Sequence, residues 1–205
     1  EKKGYKISRS TASNNVIEPL CNGGTAEATV TATGGTGNLS YNWSNGTNTA
    51  SDNNLLAGTY SVVITDDNGC SYSTSITVNE PTAVQMTITT TNPLCNSGDG
   101  SASVTAIGGT GAYSYDWSTG STTDSETAIY AGQYSLTITD DNGCAYTQNF
   151  TITDPVAIST SFTTVAPLCN GGTGEATIQA TGGTGNLNIQ WSSGGTSTTE
   201  SNLTA

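Results

Sequence analysis

The stretch CNGGTAEATVTATGGTGNLSYNWSNGT, residues 21–47, decides the fold because it returns twice further along the chain. It comes back as CNSGDGSASVTAIGGTGAYSYDWSTGS at 95–121 and as CNGGTGEATIQATGGTGNLNIQWSSGG at 169–195, with a step of 74 residues each time. The later cysteines Cys70 and Cys144 keep the same step. A fixed period of this length indicates one small domain per repeat.

The chain of 205 residues holds two complete copies and part of a third. We divide it into a linker or irregular N-terminal segment at 1–12, repeat 1 at 13–81, repeat 2 at 82–155 and a partial repeat 3 at 156–205. Ala205 aligns with Ala57, so the stretch GTYSVVITDDNGCSYSTSITV at 58–78 has no counterpart in repeat 3. A β-domain without its last strands would expose its core. We therefore expect either a piece of a longer array or strands supplied by another chain.

Short runs of alternating apolar and polar residues, separated by Gly-rich turns, fill each repeat. Ala28, Val30 and Ala32 alternate with Glu and Thr, and Val62 and Ile64 follow the same rule later in repeat 1. A period of two places one face of a strand on the core and the other in solvent. The sequence therefore predicts an all-β fold, a tandem array of immunoglobulin-like or PKD-like β-sandwich repeats.

The aromatic residues allow two interpretations. One tryptophan per repeat is typical of the core of a sandwich, whereas exposed rings would favour stacking on carbohydrate. Tyr60 and Tyr134 are predicted corner tyrosines, whose hydroxyls bond to nearby backbone. The predicted core tryptophans are Trp43, Trp117 and Trp191.

Charge excludes two classes of function. The basic residues Lys2, Lys3, Lys6 and Arg9 all precede residue 10, and no Lys, Arg or His follows them. Nothing in the repeats can neutralise phosphate, which excludes nucleic-acid binding through them. Without these side chains the repeats have no ordinary general base except a carboxylate and no nucleophile–base pair, so we predict no enzyme activity. No apolar run is long enough to span a membrane.

The motifs CNGG, YNWSNG, GTY and TDDNGC at these spacings resemble the SprB repeat. The resemblance covers 19–81 and 93–155, and it begins again at 167. It implies a segment of a very large secreted adhesin on the surface of gliding and other Bacteroidota. It also implies export by the type IX system, and a role in adhesion and in some members gliding motility.

Two patterns of disulfide pairing are open for the candidates Cys21, Cys70, Cys95, Cys144 and Cys169. Two cysteines per repeat favour bonds within a repeat, Cys21 to Cys70 and Cys95 to Cys144. The two ends of a sandwich, however, lie a strand length apart, about 20 Å, which is too far for a disulfide. Since the end of one repeat meets the start of the next, Cys21 could instead pair with Cys144.

The same reasoning raises a calcium hypothesis. Glu80 closes repeat 1 and would face the last hairpin of repeat 2, where Asp140, Asp141 and Asn142 lie. Carboxylate and amide oxygens are the ligands that Ca²⁺ prefers. The alternative is that Asp-Asp-Asn-Gly only serves the turn, and no other cofactor is predicted.

Together with what the resemblance implies, these observations predict a structural and adhesive segment of an extracellular filament protein on the bacterial cell surface, which acts as a stiff spacer. The partners would be neighbouring repeats, surface polysaccharide or other filament subunits. One alternative is a carbohydrate- or protein-binding module. Another is a filament subunit that assembles by strand donation.

Overall fold

The computed structural model describes residues 11–204, and every regular element there is a β-strand. The predicted all-β class is therefore confirmed. The N-terminal segment predicted at 1–12 lies outside the described residues except for Thr11 and Ala12, which begin the first strand. The described part of the chain contains no helix that could cross a membrane.

Repeats 1 and 2 each contribute six strands, in the same order and at equivalent positions. In repeat 1 they are β1 (Thr11–Ile17), β2 (Ala26–Thr33), β3 (Leu39–Trp43), β4 (Ser51–Leu55), β5 (Gly58–Asp66) and β6 (Ser71–Val78). In repeat 2 they are β7 (Gln85–Thr91), β8 (Gly100–Ile107), β9 (Tyr113–Trp117), β10 (Ser125–Ile129), β11 (Gly132–Asp140) and β12 (Ala145–Ile152). Repeat 3 contributes β13 (Ser159–Val165), β14 (Gly174–Thr181) and β15 (Thr199–Leu203).

The strands form five three-stranded sheets. Repeat 1 has the orders β1-β2-β4 and β3-β5-β6, and repeat 2 has the equivalent orders β7-β8-β10 and β9-β11-β12. Repeat 3 has the single sheet β13-β14-β15. Its sheet therefore corresponds to the first sheet of each complete repeat.

The core of repeat 1 lies between its two sheets. Ala28 and Val30 of β2 are buried in one cluster with Val62 of β5 and Ile76 of β6. The period-two pattern explains this burial, because it sends alternate side chains of each strand to the same face. Small residues on β2 let the second sheet approach closely, so this repeat is a β-sandwich.

Strand β4 was not predicted, because its sequence SDNNL is polar. Two of its positions are buried, the apolar Leu55 and Asp52. The Asp52 carboxylate accepts hydrogen bonds from Thr47 Oγ1 (2.5 Å) and Asn45 Nδ2 (2.8 Å). Burial raises the pKa of Asp52, but the hydrogen bonds from Thr47, Asn45 and the Asn54 backbone hold that pKa below its ordinary value. At one of the two buried positions of β4, a hydrogen-bonded carboxylate therefore stands where the alternating pattern would have an apolar residue.

The chain forms two compact units whose limits do not follow the repeats. The first comprises the described part of Glu1–Met86 with Ala106–Ser114 and Thr137–Tyr146, and the second comprises Thr87–Thr105, Tyr115–Leu136 and the described part of Thr147–Ala205. All residues of the repeat 1–repeat 2 contact described below belong to the first unit. The residues that hold the linker between repeat 2 and repeat 3 belong to the second unit.

Candidate functional site at the junctions between repeats

A hairpin turn at the end of β11 is organised by one carboxylate. Asp140 is buried, and its Oδ1 accepts the backbone N–H groups of Cys144 (2.8 Å) and Asn142 (3.0 Å). Its Oδ2 accepts the N–H of Thr110 (2.8 Å) in the GGTG loop before β9. The carboxylate therefore fixes both the turn, which we call the Cys144 hairpin (Asp140–Cys144), and the loop beside it.

Repeat 1 builds the same arrangement around Asp66. Its carboxylate accepts the N–H groups of Cys70 (2.8 Å), Asn68 (3.0 Å) and Thr36 (2.9 Å). Cys70 is therefore held in the same local geometry as Cys144, because the same three backbone contacts surround each turn.

These hydrogen bonds lower the pKa of both carboxyls. For Asp66 the backbone N–H of Cys70 is the largest influence and lowers the pKa, and burial opposes it. For Asp140 burial is the largest influence and raises the pKa, but the N–H groups of Cys144, Thr110 and Asn142 together outweigh it. Both carboxyls keep a pKa below the ordinary Asp value, because hydrogen bonding favours the charged form.

The neighbouring carboxylate ties down the rest of the GGTG loop. Asp67 Oδ2 accepts the Asn38 N–H (2.9 Å), directly after Gly37. Gly37 has a φ of 75°, and a Cβ there would collide with the Asp67 carboxylate. This position therefore needs glycine both for its backbone conformation and for space.

The Cys-Asn-Gly turn of repeat 1 holds the linker into repeat 2. Asn22 Nδ2 donates to the Pro81 carbonyl oxygen (3.1 Å), and the Gly23 N–H donates to Glu80 Oε2 (2.6 Å). The adjacent Asn79 N–H donates to Glu18 Oε2 (2.9 Å). The acidic residue that precedes the proline is thus a hydrogen-bond acceptor for the turn.

Repeat 2 holds its own linker in the same way. Asn96 Nδ2 donates to the Pro155 carbonyl oxygen (3.1 Å), and the Ser97 N–H donates to Asp154 Oδ2 (2.9 Å). These residues were not predicted to be functional. Their signal was nevertheless present, because Asn22 and Asn96 are 74 residues apart and an acidic residue precedes the proline in both linkers.

A disulfide joins the two complete repeats. Cys21 and Cys144 are bonded with an S–S distance of 2.04 Å and a Cα–Cα distance of 5.5 Å, across a sequence separation of 123 residues. Asn142 Nδ2 also donates to the Leu20 carbonyl oxygen (3.4 Å) beside the bond. Of the two pairings left open by the sequence, the structure contains the one between repeats. Cys70, Cys95 and Cys169 are exposed and free.

The residues of the calcium hypothesis serve other contacts. No group of three or more His, Cys, Asp and Glu side chains suited to a metal occurs among residues 11–204, so Glu80, Asp140 and Asp141 do not form one. Glu80 and Asp140 accept the backbone hydrogen bonds given above, and Asp141 Oδ2 accepts the Ala112 N–H (3.0 Å). Asn142 contacts Leu20. In the described structure these residues therefore stabilise turns and the linker.

Two of the three tryptophans that the sequence predicts for the core are buried. Trp43 and Trp117 are each 2% exposed, and Trp43 Nε1 donates to the Thr49 carbonyl oxygen (2.8 Å). Trp191 is only partly buried. The corner tyrosines are confirmed, since the hydroxyls of Tyr60 and Tyr134 donate to backbone carbonyl oxygens four residues upstream, at 3.0 and 2.9 Å.

The linkers after repeats 1 and 2 are held by equivalent hydrogen bonds, and a disulfide joins repeat 1 to repeat 2. These features are those of a tandem structural repeat protein. Three segments match the SprB-repeat family model, at residues 13–48, 87–122 and 161–196, and together they cover more than half of the chain. The chain belongs to the SprB-repeat family. This is a structural repeat family that occurs in cell-surface proteins. No curated protein gives a significant match to the sequence.

Proposed function

We propose that this chain is a mechanical segment of a cell-surface adhesin-like protein, in which each repeat is covalently joined to the next. The observation that carries the proposal is the Cys21–Cys144 disulfide between repeat 1 and repeat 2. The repeat boundaries that we propose fall after Pro81 and Pro155, the two residues held by the Cys-Asn-Gly and Cys-Asn-Ser turns. A spacer built in this way would hold a distal adhesive element away from the cell.

The position of the disulfide determines how the chain carries a pulling force. A force applied to both ends of the chain bypasses the residues between Cys21 and Cys144, because the S–S bond connects these two points directly. The strands in between cannot extend while the bond is intact. The hydrogen bonds around Asn22 and Glu80 hold the linker in the same region without covalent strength.

Force spectroscopy on the full chain tests this proposal. With the bond intact, the segment between the two cysteines, whose sequence separation is 123, stays out of the extension. Reduction releases roughly 400 Å of additional contour length. The double variant Cys21→Ser/Cys144→Ser should extend fully without reductant. Cys70→Ser is the matched control, because Cys70 is free, and it should retain the dependence on reductant.

The proposal fails if wild-type protein extends to the same length with and without reductant. That result would mean that the repeats are not covalently joined under oxidising conditions. A family role in adhesion or gliding motility would then need another mechanical basis.

We further propose an extracellular location, with surface polysaccharide or other filament subunits as partners and type IX secretion as the route. The disulfide and the family support the location. Antibodies raised against the chain should stain intact cells that produce the parent protein. Staining only after the cells are permeabilised would contradict the location.

A further inference from the structure

The linker between repeat 2 and repeat 3 contains an aspartate of which only one oxygen is hydrogen-bonded. Asp154 Oδ2 accepts the backbone N–H of Ser97 (2.9 Å). Asp154 Oδ1 is buried and has no hydrogen-bond partner among the described residues. No Lys, Arg or His follows Arg9, so no basic side chain of the repeats pairs with this carboxyl group. A buried polar atom without a partner requires an explanation, and the contacts that hold the fold do not give one.

The residue after this aspartate suggests a chemical explanation. Pro155 follows Asp154, and the peptide nitrogen of a proline is bonded to three carbon atoms and carries no hydrogen. Such a nitrogen accepts a proton and leaves its carbonyl carbon more readily than an ordinary amide nitrogen does. The side chain of an aspartate can close a five-membered ring on its own carbonyl carbon. This linker therefore holds a nucleophile and a leaving group on the same peptide unit.

The first linker has equivalent contacts but a different ring size. Glu80 Oε2 accepts the Gly23 N–H (2.6 Å), and Pro81 follows Glu80. A glutamate side chain has one more methylene group, so its attack on its own carbonyl carbon needs a six-membered ring and immobilises one more rotatable bond. The Glu80–Pro81 bond is therefore a matched control in the same molecule.

The turn beside the second linker fixes both sides of the Asp154–Pro155 bond. The Ser97 N–H holds the side chain of Asp154, and Asn96 Nδ2 donates to the Pro155 carbonyl oxygen (3.1 Å). Ser97 has a φ of 60°, where the equivalent Gly23 has 74°, so this turn places a non-glycine residue in a conformation that favours glycine. Holding the reacting groups in place lowers the entropy that a reaction between them must overcome.

We propose that the Asp154–Pro155 peptide bond is a self-cleavage site, which divides the chain between repeat 2 and repeat 3 without a protease. In the neutral form of the side chain, Oδ1 attacks the backbone carbonyl carbon of Asp154 and forms a C–O bond. The C–N bond to Pro155 breaks, its electron pair stays on the nitrogen, and the carboxyl proton moves to that nitrogen. Water then opens the cyclic anhydride, which leaves two carboxyl groups at Asp154 and a secondary amine at Pro155.

The two oxygens of Asp154 are divided as this reaction requires. Oδ2 remains a carbonyl oxygen in the anhydride, so it can keep its hydrogen bond from Ser97 throughout the ring closure. Oδ1 is the atom that must form the new bond, and it is the oxygen without a partner among the described residues. The proposal goes beyond the proposed function, because the bond lies outside the segment that the Cys21–Cys144 disulfide closes.

Intact mass spectrometry on the full chain tests the site. The folded protein is incubated in mildly acidic buffer, because the neutral side chain is the reactive form. It is then reduced, so that a cut inside the disulfide loop is also detected. We expect a fragment that begins at Pro155 to accumulate about ten times faster than one that begins at Pro81. Incubation in urea should slow the cleavage at Pro155 by a factor on the order of ten, since the unfolded chain does not hold the side chain.

The variant Asp154→Glu separates ring closure from the contacts of the turn. It keeps the carboxylate and the proline and copies the first linker, so it should lose the fragment that begins at Pro155. The comparisons with Pro81 and with urea use the wild-type chain and need no variant to fold. Absence of the fragment from folded wild type would overturn the proposal.

Equal cleavage in urea would also overturn it, because the reaction would then reflect the ordinary lability of an Asp-Pro bond. The force measurement depends on Cys21 and Cys144 alone, so either proposal can fail without the other.

Discussion

Asp66 and Asp140 illustrate how one carboxylate can organise a whole turn. Each accepts three backbone N–H groups, from its own hairpin and from the adjacent GGTG loop. Buried N–H groups without partners would destabilise the fold. The acidic residues of the Asp-Asp-Asn-Gly-Cys motif are therefore explained by the backbone that they satisfy.

The lowered pKa values predict how stability depends on pH. A carboxyl whose pKa is lower in the folded state stabilises that state above its ordinary pKa of 3.8. This contribution is lost as the pH falls through the folded-state pKa. We expect the free energy of unfolding, measured with denaturant, to fall below about pH 4. The variant Asp66→Asn/Asp140→Asn should be less stable at pH 7 and should lose less on acidification. Parallel pH profiles for both proteins would contradict this explanation.

Tryptophan accessibility tests the assignment of the aromatic residues. In variants that retain one tryptophan, acrylamide should quench Trp43 and Trp117 weakly, because both are buried. Trp191 should be quenched more strongly, since it is only partly buried. Quenching of Trp43 like that of free tryptophan would favour the carbohydrate-stacking alternative.

At the scale of the element, one glycine of the GGTG loop and one glycine of the turn after β3 give a matched pair of variants. Gly37 and Gly46 lie in the same compact unit and both have positive φ, 75° and 95°. Alanine at Gly46 should cost about 1 kcal/mol from backbone strain alone, because nothing lies within 4 Å of a Cβ there. Alanine at Gly37 should cost about 1 kcal/mol more, since it displaces the Asp67 hydrogen bond to Asn38. Equal losses in chemical denaturation would show that the contact with Asp67 adds nothing.

Periodicity predicted the apolar strands because their burial follows their sequence directly. Ala28 and Val30 of β2 were expected on the inner face and are buried there. The pattern missed β4, whose inward Asp52 is stabilised by Asn45 and Thr47, and such side-chain partners are not visible in a hydropathy pattern. It also missed the role of Asn22, because an exposed asparagine in a turn looks the same whether or not it contacts a linker 59 residues away.

For the molecule as a whole, the disulfide makes a prediction about stability. Closing a loop with a sequence separation of 123 residues removes unfolded-state entropy worth up to about 5 kcal/mol in the chain-entropy model. Cys21→Ser should therefore lower the free energy of unfolding substantially, and reductant should have no further effect on this variant. Cys70→Ser should behave like wild type, because Cys70 is free. If the two variants unfold alike, the bond does not stabilise the repeats.

The disulfide pairing could not be decided from the sequence, because two valid arguments opposed each other. The count of two cysteines per repeat favoured Cys21 with Cys70, whereas the length of a strand favoured Cys21 with Cys144. Only the arrangement of neighbouring repeats decides between them, and periodicity carries no distance between repeats. The within-repeat pattern would have paired Cys70 with Cys21 and Cys95 with Cys144. Both Cys70 and Cys95 are free.

The Cys21–Cys144 bond also changes what a protease can achieve. A single cut anywhere between these two residues opens the backbone, yet the two fragments stay in one molecule through the sulfur atoms. On an electrophoresis gel, nicked protein should migrate as one species without reductant and as two with it. A surface protein built in this way would keep its distal end attached after damage that would shed the end of an ordinary chain.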